Sequence, residues 1–436
     1  MKKLGIISLG CDKNRVDTEK MLSYLKGSDL EIVDDLNTAE IIIINTCAFI
    51  DKARKESIDT ILDAIDLKQN NCRKIIVSGC LSQKYLDELK KELPEVDAFL
   101  GTSNYSEIVK VIKRLYNGET YYSNIPKDND VIDRVLTTPL HYAYLKIAEG
   151  CDNYCTFCSI PSIRGKYTSR TKDKILDEAK NLADMGVKEL ILVAQDTGRY
   201  GSDLYKDYDI TDLLFDLTKI DGIEWIRLLY CYPETINERL LNLIVSQPKI
   251  CDYLDIPLQH IDNMILKRMN RRITEDGIKN LIYKIRESGD ISIRSSFILG
   301  FPQESDSQFE KLLFFLEEFK LDNVGFFTYS REEGTPAANM PNQIPSKIKN
   351  SRLRQAAAVQ QKIVVENNKK KRLNKTLKVL YEGIDFDKNL FFGRTQYNAP
   401  EVDTLVYFSG NYAEIGNFYD VKITDILTYD LKGEMQ

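Results

Sequence analysis

Apolar positions in the first 122 residues fall into short continuous or alternating runs separated by stretches of helical period. The runs at 4–9, 41–44 and 74–77 read as strands, and the segments 16–25, 53–67 and 84–93 read as amphipathic helices. This βα alternation predicts a doubly wound α/β domain over 1–122 with a mainly parallel sheet. A polar stretch rich in Asp and Asn follows, and residues 123–136 are expected to be a linker. A second βα series then begins, with strands expected at 142–148, 190–194, 224–230, 253–258, 292–299 and 324–329. Helical segments separate most of them, for instance 174–185, closed by Gly186 as a C-cap. Six units are too few for a closed eight-fold barrel, so 137–346 is expected to form a partial (βα)6 barrel with its strand C-termini facing the active site. A connecting helix is expected over 347–372, where Ala356, Ala357 and Ala358 are strong helix formers. The remainder, 373–436, alternates like strands at 377–381, 405–408 and 419–423, which predicts a small antiparallel β-barrel of the OB type.

A chain of 436 residues exceeds what one core usually supports, in agreement with two or three domains. The longest aliphatic block, 41–44, is flanked by Glu40 and Asn45 and falls far short of the roughly 18 apolar residues of a membrane span. The N-terminal stretch reads as a strand and not as a signal peptide. Nine cysteines, an odd number without an export signal, argue against a disulfide framework and for reduced thiols in the cytoplasm, some of them metal ligands. The net charge of -6 speaks against a protein that coats nucleic acid and suits a basic protein partner.

Cys151, Cys155 and Cys158 form a CxxxCxxC loop directly after the first strand of the second series. Three thiolates in one compact loop can hold an iron-sulfur cubane and leave the fourth iron an open position for chemistry. The alternatives are a zinc loop lacking its last ligand, or cysteines that share a turn by chance. Cys11, Cys47 and Cys80 are distant in sequence, yet each follows an expected parallel strand, in SLGC, INTC and VSGC. Loops at the carboxyl ends of neighbouring strands converge, so these three thiols can meet, with Gly10 and Gly79 permitting close backbone approach. Taken singly, each would be an inert buried cysteine. Cys72, Cys231 and Cys251 show no such pattern and are read that way. Two histidines, His141 and His260, leave little room for imidazole acid-base chemistry; His260 is read as facing the cavity or as structural, and Trp225 is read as core.

The cysteine loop resembles that of the radical SAM superfamily. The resemblance implies that the open iron chelates S-adenosylmethionine, which one electron cleaves to a 5'-deoxyadenosyl radical. Phe157 resembles the aromatic residue beside the adenine. Gln195 and Asp196, at the end of the second strand, lie where the methionine end is held, and Ser296 and Gly300, in SFILGFPQE (296–304), resemble the fifth-strand motif beside the adenosine. Across essentially the whole chain the sequence is similar to the methylthiotransferases, through SLGCDKNRVDTE (8–19), HYAYLKIAEGC (141–151), IPSIRG (160–165), DIPLQH (255–260), FTYSREEGTPAA (327–338) and GRTQYNAPEVD (393–403). That likeness implies an N-terminal cluster domain, a radical SAM domain and a TRAM domain, with two [4Fe-4S] clusters held by Cys11, Cys47 and Cys80 and by Cys151, Cys155 and Cys158. The nearest branch methylthiolates the β-carbon of an aspartate in the twelfth small-subunit ribosomal protein. It implies an electron donor such as flavodoxin or ferredoxin, and a substrate met free or on the ribosome. Asp12 stands where the family usually has Pro, and Gln303 where Gly is common.

A sister branch modifies an adenosine derivative in transfer RNA, with the TRAM barrel as the RNA-binding module. From 376 to 436 there are five basic residues (Lys378, Lys388, Arg394, Lys422 and Lys432). The ten acidic ones are Glu382, Asp385, Asp387, Glu401, Asp403, Glu414, Asp420, Asp425, Asp430 and Glu434, which gives a net of -5. Such a barrel repels phosphate and attracts a basic protein. The run Lys369, Lys370, Lys371 and Arg372 is the counter-evidence, read here as a solvated helix end that complements the helix dipole.

Overall fold

The computed structural model describes residues 2–125 and 131–436, so residues 126–130 of the expected linker lie outside the described residues. The chain forms two compact units. The first comprises Met1–Thr138, Ala148–Asn181 and Ser330–Thr335, and the second Pro139–Ile147, Leu182–Tyr329 and Pro336–Gln436.

The first unit is built on β1 (Lys2–Ser8), β2 (Leu30–Ile32), β3 (Ile41–Thr46), β4 (Lys74–Gly79), β5 (Ala98–Leu100) and β6 (Tyr121–Ser123). They form one parallel sheet in the order β2-β1-β3-β4-β5-β6. Helices α1 (Asp12–Leu25), α2 (Asp51–Asp66), α3 (Cys80–Glu92) and α4 (Ile108–Tyr116) cross between the strands. β3 reads IIIINT and is buried at every position, as expected of a central strand covered on both faces. Its neighbours β1 and β4 are the strands that lead to Cys11 and Cys80. The described part of the linker stretch is anchored: Arg134 is buried and ion-paired with Glu19 and Glu178, and the Thr137 N–H donates to Glu19 Oε1 at 2.8 Å.

In the second unit, β7 (Tyr142–Lys146) pairs with β10 (Glu189–Val193), which pairs with β11 (Trp225–Leu228). A second parallel sheet holds β12 (Tyr253–Gln259), β13 (Ser292–Leu299) and β14 (Asn323–Thr328). A hydrogen bond from the Cys231 N–H to the Asp255 carbonyl, 2.8 Å, links the two sheets. These six strands are the expected partial barrel. Between β7 and β10 the chain passes through β8 (Ala148–Glu149), α5 (Ile160–Arg164), β9 (Thr168–Ser169) and α6 (Lys172–Asp184). The left-handed Gly186 then ends α6, its N–H donating to the Ala183 carbonyl. The remaining helices are α7 (Ile210–Thr218), α8 (Glu238–Ser246), α9 (Asn263–Arg268), α10 (Glu275–Ser288) and α11 (Asp306–Phe319).

α12 (Ser346–Lys371) leads to a closed barrel of β15 (Thr376–Asp385), β16 (Leu390–Arg394), β17 (Val406–Ser409), β18 (Phe418–Leu427) and β19 (Asp430–Met435). The barrel is the small OB-like one expected, with one refinement: four pairings are antiparallel, and β17 and β19 run parallel. A ring with an odd number of strands cannot alternate direction all the way round, so closing five strands forces one parallel pair. The basic run at the end of α12 is corrected. Lys371 reaches Asp322 at 2.7 Å, and Arg372 is buried against Asp290 with its guanidinium 3.5 Å from the centre of the Tyr397 ring. Only Lys369 and Lys370 remain as an exposed pair. Trp225 is core, packed edge-on against Phe418.

Candidate functional site

Cys11 caps the N-terminus of α1, Cys47 directly follows β3, and Cys80 opens α3. Because β1, β3 and β4 are adjacent, the three loops emerge side by side at one sheet edge. Cys47 and Cys80 are buried and Cys11 is exposed. A Cβ on Gly10, whose φ is +92°, would stand 2.9 Å from the Cys47 sulfur, so the backbone beside Cys11 presses directly on Cys47. A Cβ on Gly79 would meet Asn45 and the backbone of Thr46. Polar groups fix the loops. The Ser57 hydroxyl accepts from the Cys47 N–H at 3.0 Å and donates to its carbonyl at 2.8 Å. The Asn14 amide donates to the carbonyls of Leu9 and Thr46.

Burial pushes the Cys80 thiol up to about 12, against the pull of Arg164, and Cys11 and Cys47 both add to the rise. Burial also raises Cys47, with Cys11 contributing. Buried thiols such as Cys47 and Cys80 ionise when a cationic metal core binds them, which is the donor chemistry of thiolate ligands. Among the described residues no three His, Cys, Asp or Glu side chains converge on a single metal ion.

The second triplet sits on a loop closed at its base by the β8–β9 pair, with Ala148 opposite Ser169 and Glu149 opposite Thr168. Cys151 and Cys155 are buried and Cys158 is half-buried. The Cys151 N–H donates to the Gly165 carbonyl at 3.1 Å, the Cys158 N–H to the Cys155 carbonyl at 3.0 Å, and the Tyr167 N–H to Asp152 Oδ1 at 3.1 Å. The Asn153 amide approaches the Cys151 sulfur at 3.5 Å. Both triplets belong to the first unit. Phe157 lies in the same loop, half-buried.

The other expected cofactor contacts lie in the second unit. Gln195 and the buried Asp196 follow the end of β10, Ser296 is on β13, and Gly300 follows the end of that strand with φ +71°. The Gly300 and Phe301 N–H groups both donate to the buried Glu304 carboxylate, which is ion-paired with Arg352. All four expected residues thus occupy the C-terminal ends of parallel strands or the strand leading there. His260 is fully buried, its Nδ1 accepting from the Asp262 N–H at 3.0 Å. Burial lowers its pKa to about 4, so it is a neutral internal ring.

The sequence reading missed Arg164. Its Nη1 lies 3.0 Å from Asp17 Oδ2 and 3.0 Å from both Glu149 oxygens; its Nη2 lies 3.3 Å from Asn14 Oδ1 and 3.6 Å from the Cys80 sulfur. The available signal was an arginine inside the short apolar segment IPSIR just past a cysteine loop, where a buried charge needs partners.

Known proteins bear on this arrangement. Family profiles match in chain order: the uncharacterized protein family UPF0004 at residues 3–101, the Radical SAM superfamily at 145–316 and the TRAM domain at 375–435. The radical S-adenosylmethionine methyltransferase TsrM from Kitasatospora setae, solved with cobalamin and a [4Fe-4S] cluster, superposes with a TM-score of 0.58. Its identity is 13%, over 77% of each chain. The cobalamin-dependent S-adenosylmethionine radical enzyme OxsB gives 0.55 at 14% identity, over 83% of this chain and 56% of its own. These likenesses are of fold, and with the profiles they define a radical SAM protein that carries a TRAM barrel. A relative from Acetivibrio thermocellus, named ribosomal protein uS12 methylthiotransferase RimO, is 48% identical over 100% of this chain and 98% of its own length. One of the same name from Clostridium novyi is 48% identical over 99% of this chain and 97% of its own. The chain belongs to the RimO family of radical SAM methylthiotransferases.

Proposed function

We propose that this chain transfers a methylthio group to the β-carbon of an aspartate in ribosomal protein uS12, using S-adenosylmethionine and two [4Fe-4S] clusters. Cys151, Cys155 and Cys158 hold the cluster that engages S-adenosylmethionine, and Cys11, Cys47 and Cys80 hold the second. The observation that carries the proposal is the grouping of six of the nine cysteines as two triplets within one compact unit. When bound, these groups supply reductive cleavage of S-adenosylmethionine, hydrogen removal from the substrate carbon, and sulfur and methyl for transfer. The chain's own part is to present thiolates on short, backbone-braced loops and to leave one iron of each cluster without a protein ligand. Phe157, Gln195, Asp196, Ser296 and Gly300 orient S-adenosylmethionine.

The transfer RNA reading is not favoured: the full-length relatives carry the uS12 name, and the barrel's acidic excess opposes phosphate. A flavodoxin or ferredoxin supplies electrons, uS12 is met free or on the ribosome, and the chain works in the cytoplasm. No helix among the described residues is long and apolar enough to cross a membrane.

The test is mass spectrometry of small-subunit ribosomal proteins from cells with and without the gene. A methylthio increment on uS12 that disappears with the gene supports the proposal; its persistence refutes it. In the purified chain, Cys155→Ala abolishes cleavage of S-adenosylmethionine, whereas Cys47→Ala leaves cleavage and stops sulfur insertion. Methylthiolated product from Cys47→Ala would remove Cys11, Cys47 and Cys80 from the mechanism.

A further inference from the structure

We infer that Arg164 is a positioning residue for the N-terminal cluster, acting as the cationic partner of Cys80 and tying that cysteine's scaffold to the loop of the other triplet. The inference rests on the proposed reading of the two triplets as cluster ligands. The Arg164 side chain is 1% exposed and touches groups from three other segments. Asn14 and Asp17 lie on α1, which Cys11 caps, Cys80 opens α3, and Glu149 lies two residues before Cys151. Arg164 itself ends α5, which starts two residues after Cys158. Its neighbour Gly165 accepts the Cys151 N–H. Through Asn14, which holds the carbonyls of Leu9 and Thr46, the same guanidinium is one hydrogen bond removed from the backbone leading to Cys11 and Cys47.

A cubane held by three thiolates is an anion, and reduction adds to its charge. A buried anion is stabilised by a cation that cannot shed its proton, and arginine meets that condition with a planar fork able to serve several partners at once. Asp17 and Glu149 hold the guanidinium in place; their two negative charges outnumber its one, but Glu149 is partly open to solvent and screened, and the guanidinium is the group against the Cys80 sulfur. Removing the cation leaves both carboxylates beside the cluster and makes reduction harder. Removing one carboxylate leaves the guanidinium on Cys80 less neutralised and makes reduction easier.

The experiment uses the full-length chain carrying Cys155→Ala, reconstituted anaerobically with iron and sulfide, so that the N-terminal triplet supplies the observed cluster. Iron content and the midpoint potential, followed by electron paramagnetic resonance, are compared among this parent, Arg164→Met and Asp17→Asn, with thermal melting as the control for folding. Arg164→Met is expected to lower the midpoint and Asp17→Asn to raise it. A purely structural strut produces no such pair of opposed shifts, so unchanged midpoints in both variants overturn the inference. Should Arg164→Met fail to fold, Asp17→Asn decides alone: a raised midpoint supports the inference and an unchanged or lowered one overturns it. If the Cys155→Ala parent binds no iron, the cluster assignment itself is wrong and the inference falls with it.

Discussion

A methyl group at residue 150 has nowhere to go. Gly150 holds φ at +76°, and a Cβ there would stand 2.1 Å from the Lys166 carbonyl oxygen and 2.6 Å from that of Gly165. Gly150→Ala therefore meets backbone on the far side of the cysteine loop, beyond the roughly 1–2 kcal/mol of the left-handed conformation itself. On the proposed assignment of the two triplets, this variant loses the iron of the Cys151 loop and cleavage of S-adenosylmethionine while keeping the iron of the other triplet. Iron analysis alongside deoxyadenosine release checks this, and full iron with full cleavage would show that the loop tolerates the shift. Gln303 is the opposite case, a residue in a glycine-like conformation with φ +66°. Its N–H donates to the Asn342 carbonyl at 3.1 Å and its carbonyl accepts from Arg268 at 3.3 Å, so the turn is held despite the strain. Gln303→Gly should relieve about 1 kcal/mol of conformational cost and give back part of it as unfolded-chain entropy, a net gain of roughly 0.5 kcal/mol. A small rise in Tm is the expected outcome, and a fall would show that the Gln303 side chain matters more than its backbone. Asp12 needs no such repair: it occupies the first turn of α1, where a carboxylate suits the helix dipole.

Among elements, a buried charge cluster of the first unit joins α1 to the middle of α6. Glu178 is fully buried, with Arg170, Lys20 and Arg134 at 2.6, 3.2 and 3.2 Å. Burial alone would raise its pKa, yet Arg170, Lys20 and Arg134 hold it down to about 2. A folded value below the ordinary 4.5 means that this carboxylate stabilises the unit above pH 4.5 and that its contribution is lost as pH falls towards 2. At about 1.4 kcal/mol per tenfold change in proton affinity, the loss is roughly 3 kcal/mol. Denaturant melts between pH 2.5 and 7 should show this acid limb in the native chain and its flattening in Glu178→Gln. That variant should also lose roughly 3–5 kcal/mol at neutral pH because three buried cations keep one anion fewer. An undiminished acid limb in Glu178→Gln would assign the pH dependence to other carboxylates. None of this tie was legible beforehand, since Glu19, Lys20, Arg134 and Glu178 lie far apart along the chain and no local pattern links the two helices to the linker stretch. What could be read were features with a local period: the buried run of β3, the six strands of the partial barrel, α12, and cysteines placed just after strands. Contacts between distant segments carry no such period, which is why Arg164, 147 residues from Asp17, and the parallel β17–β19 pair escaped notice.

For the molecule as a whole, the charge count of the terminal barrel has to be corrected by burial before it can predict association. Arg394 is wholly buried against Glu189 and Glu382, and Asp403 is occupied by Arg294 and Tyr253, so those charges brace the second unit and do not face a partner. At exposed positions six carboxylates remain (Asp387, Glu401, Glu414, Asp420, Asp425 and Glu434) against the four lysines Lys378, Lys388, Lys422 and Lys432. The acidic excess therefore survives at the surface but is smaller than the net of -5 in the sequence. A modest excess of this kind speeds encounter with a basic protein more than it tightens the final complex, and salt screens it. Raising ionic strength from about 0.1 M to about 1 M shortens the screening length from roughly 10 Å to roughly 3 Å, so the association rate with uS12 should fall while the dissociation rate changes little. Replacing Asp420, Asp425 and Glu434 together by their amides should remove much of that salt dependence and leave cleavage of S-adenosylmethionine untouched. Stopped-flow association over a salt series measures both. If the rate is indifferent to salt, or if the amide variant keeps its full dependence, the barrel does not steer the substrate and its charge serves solubility alone.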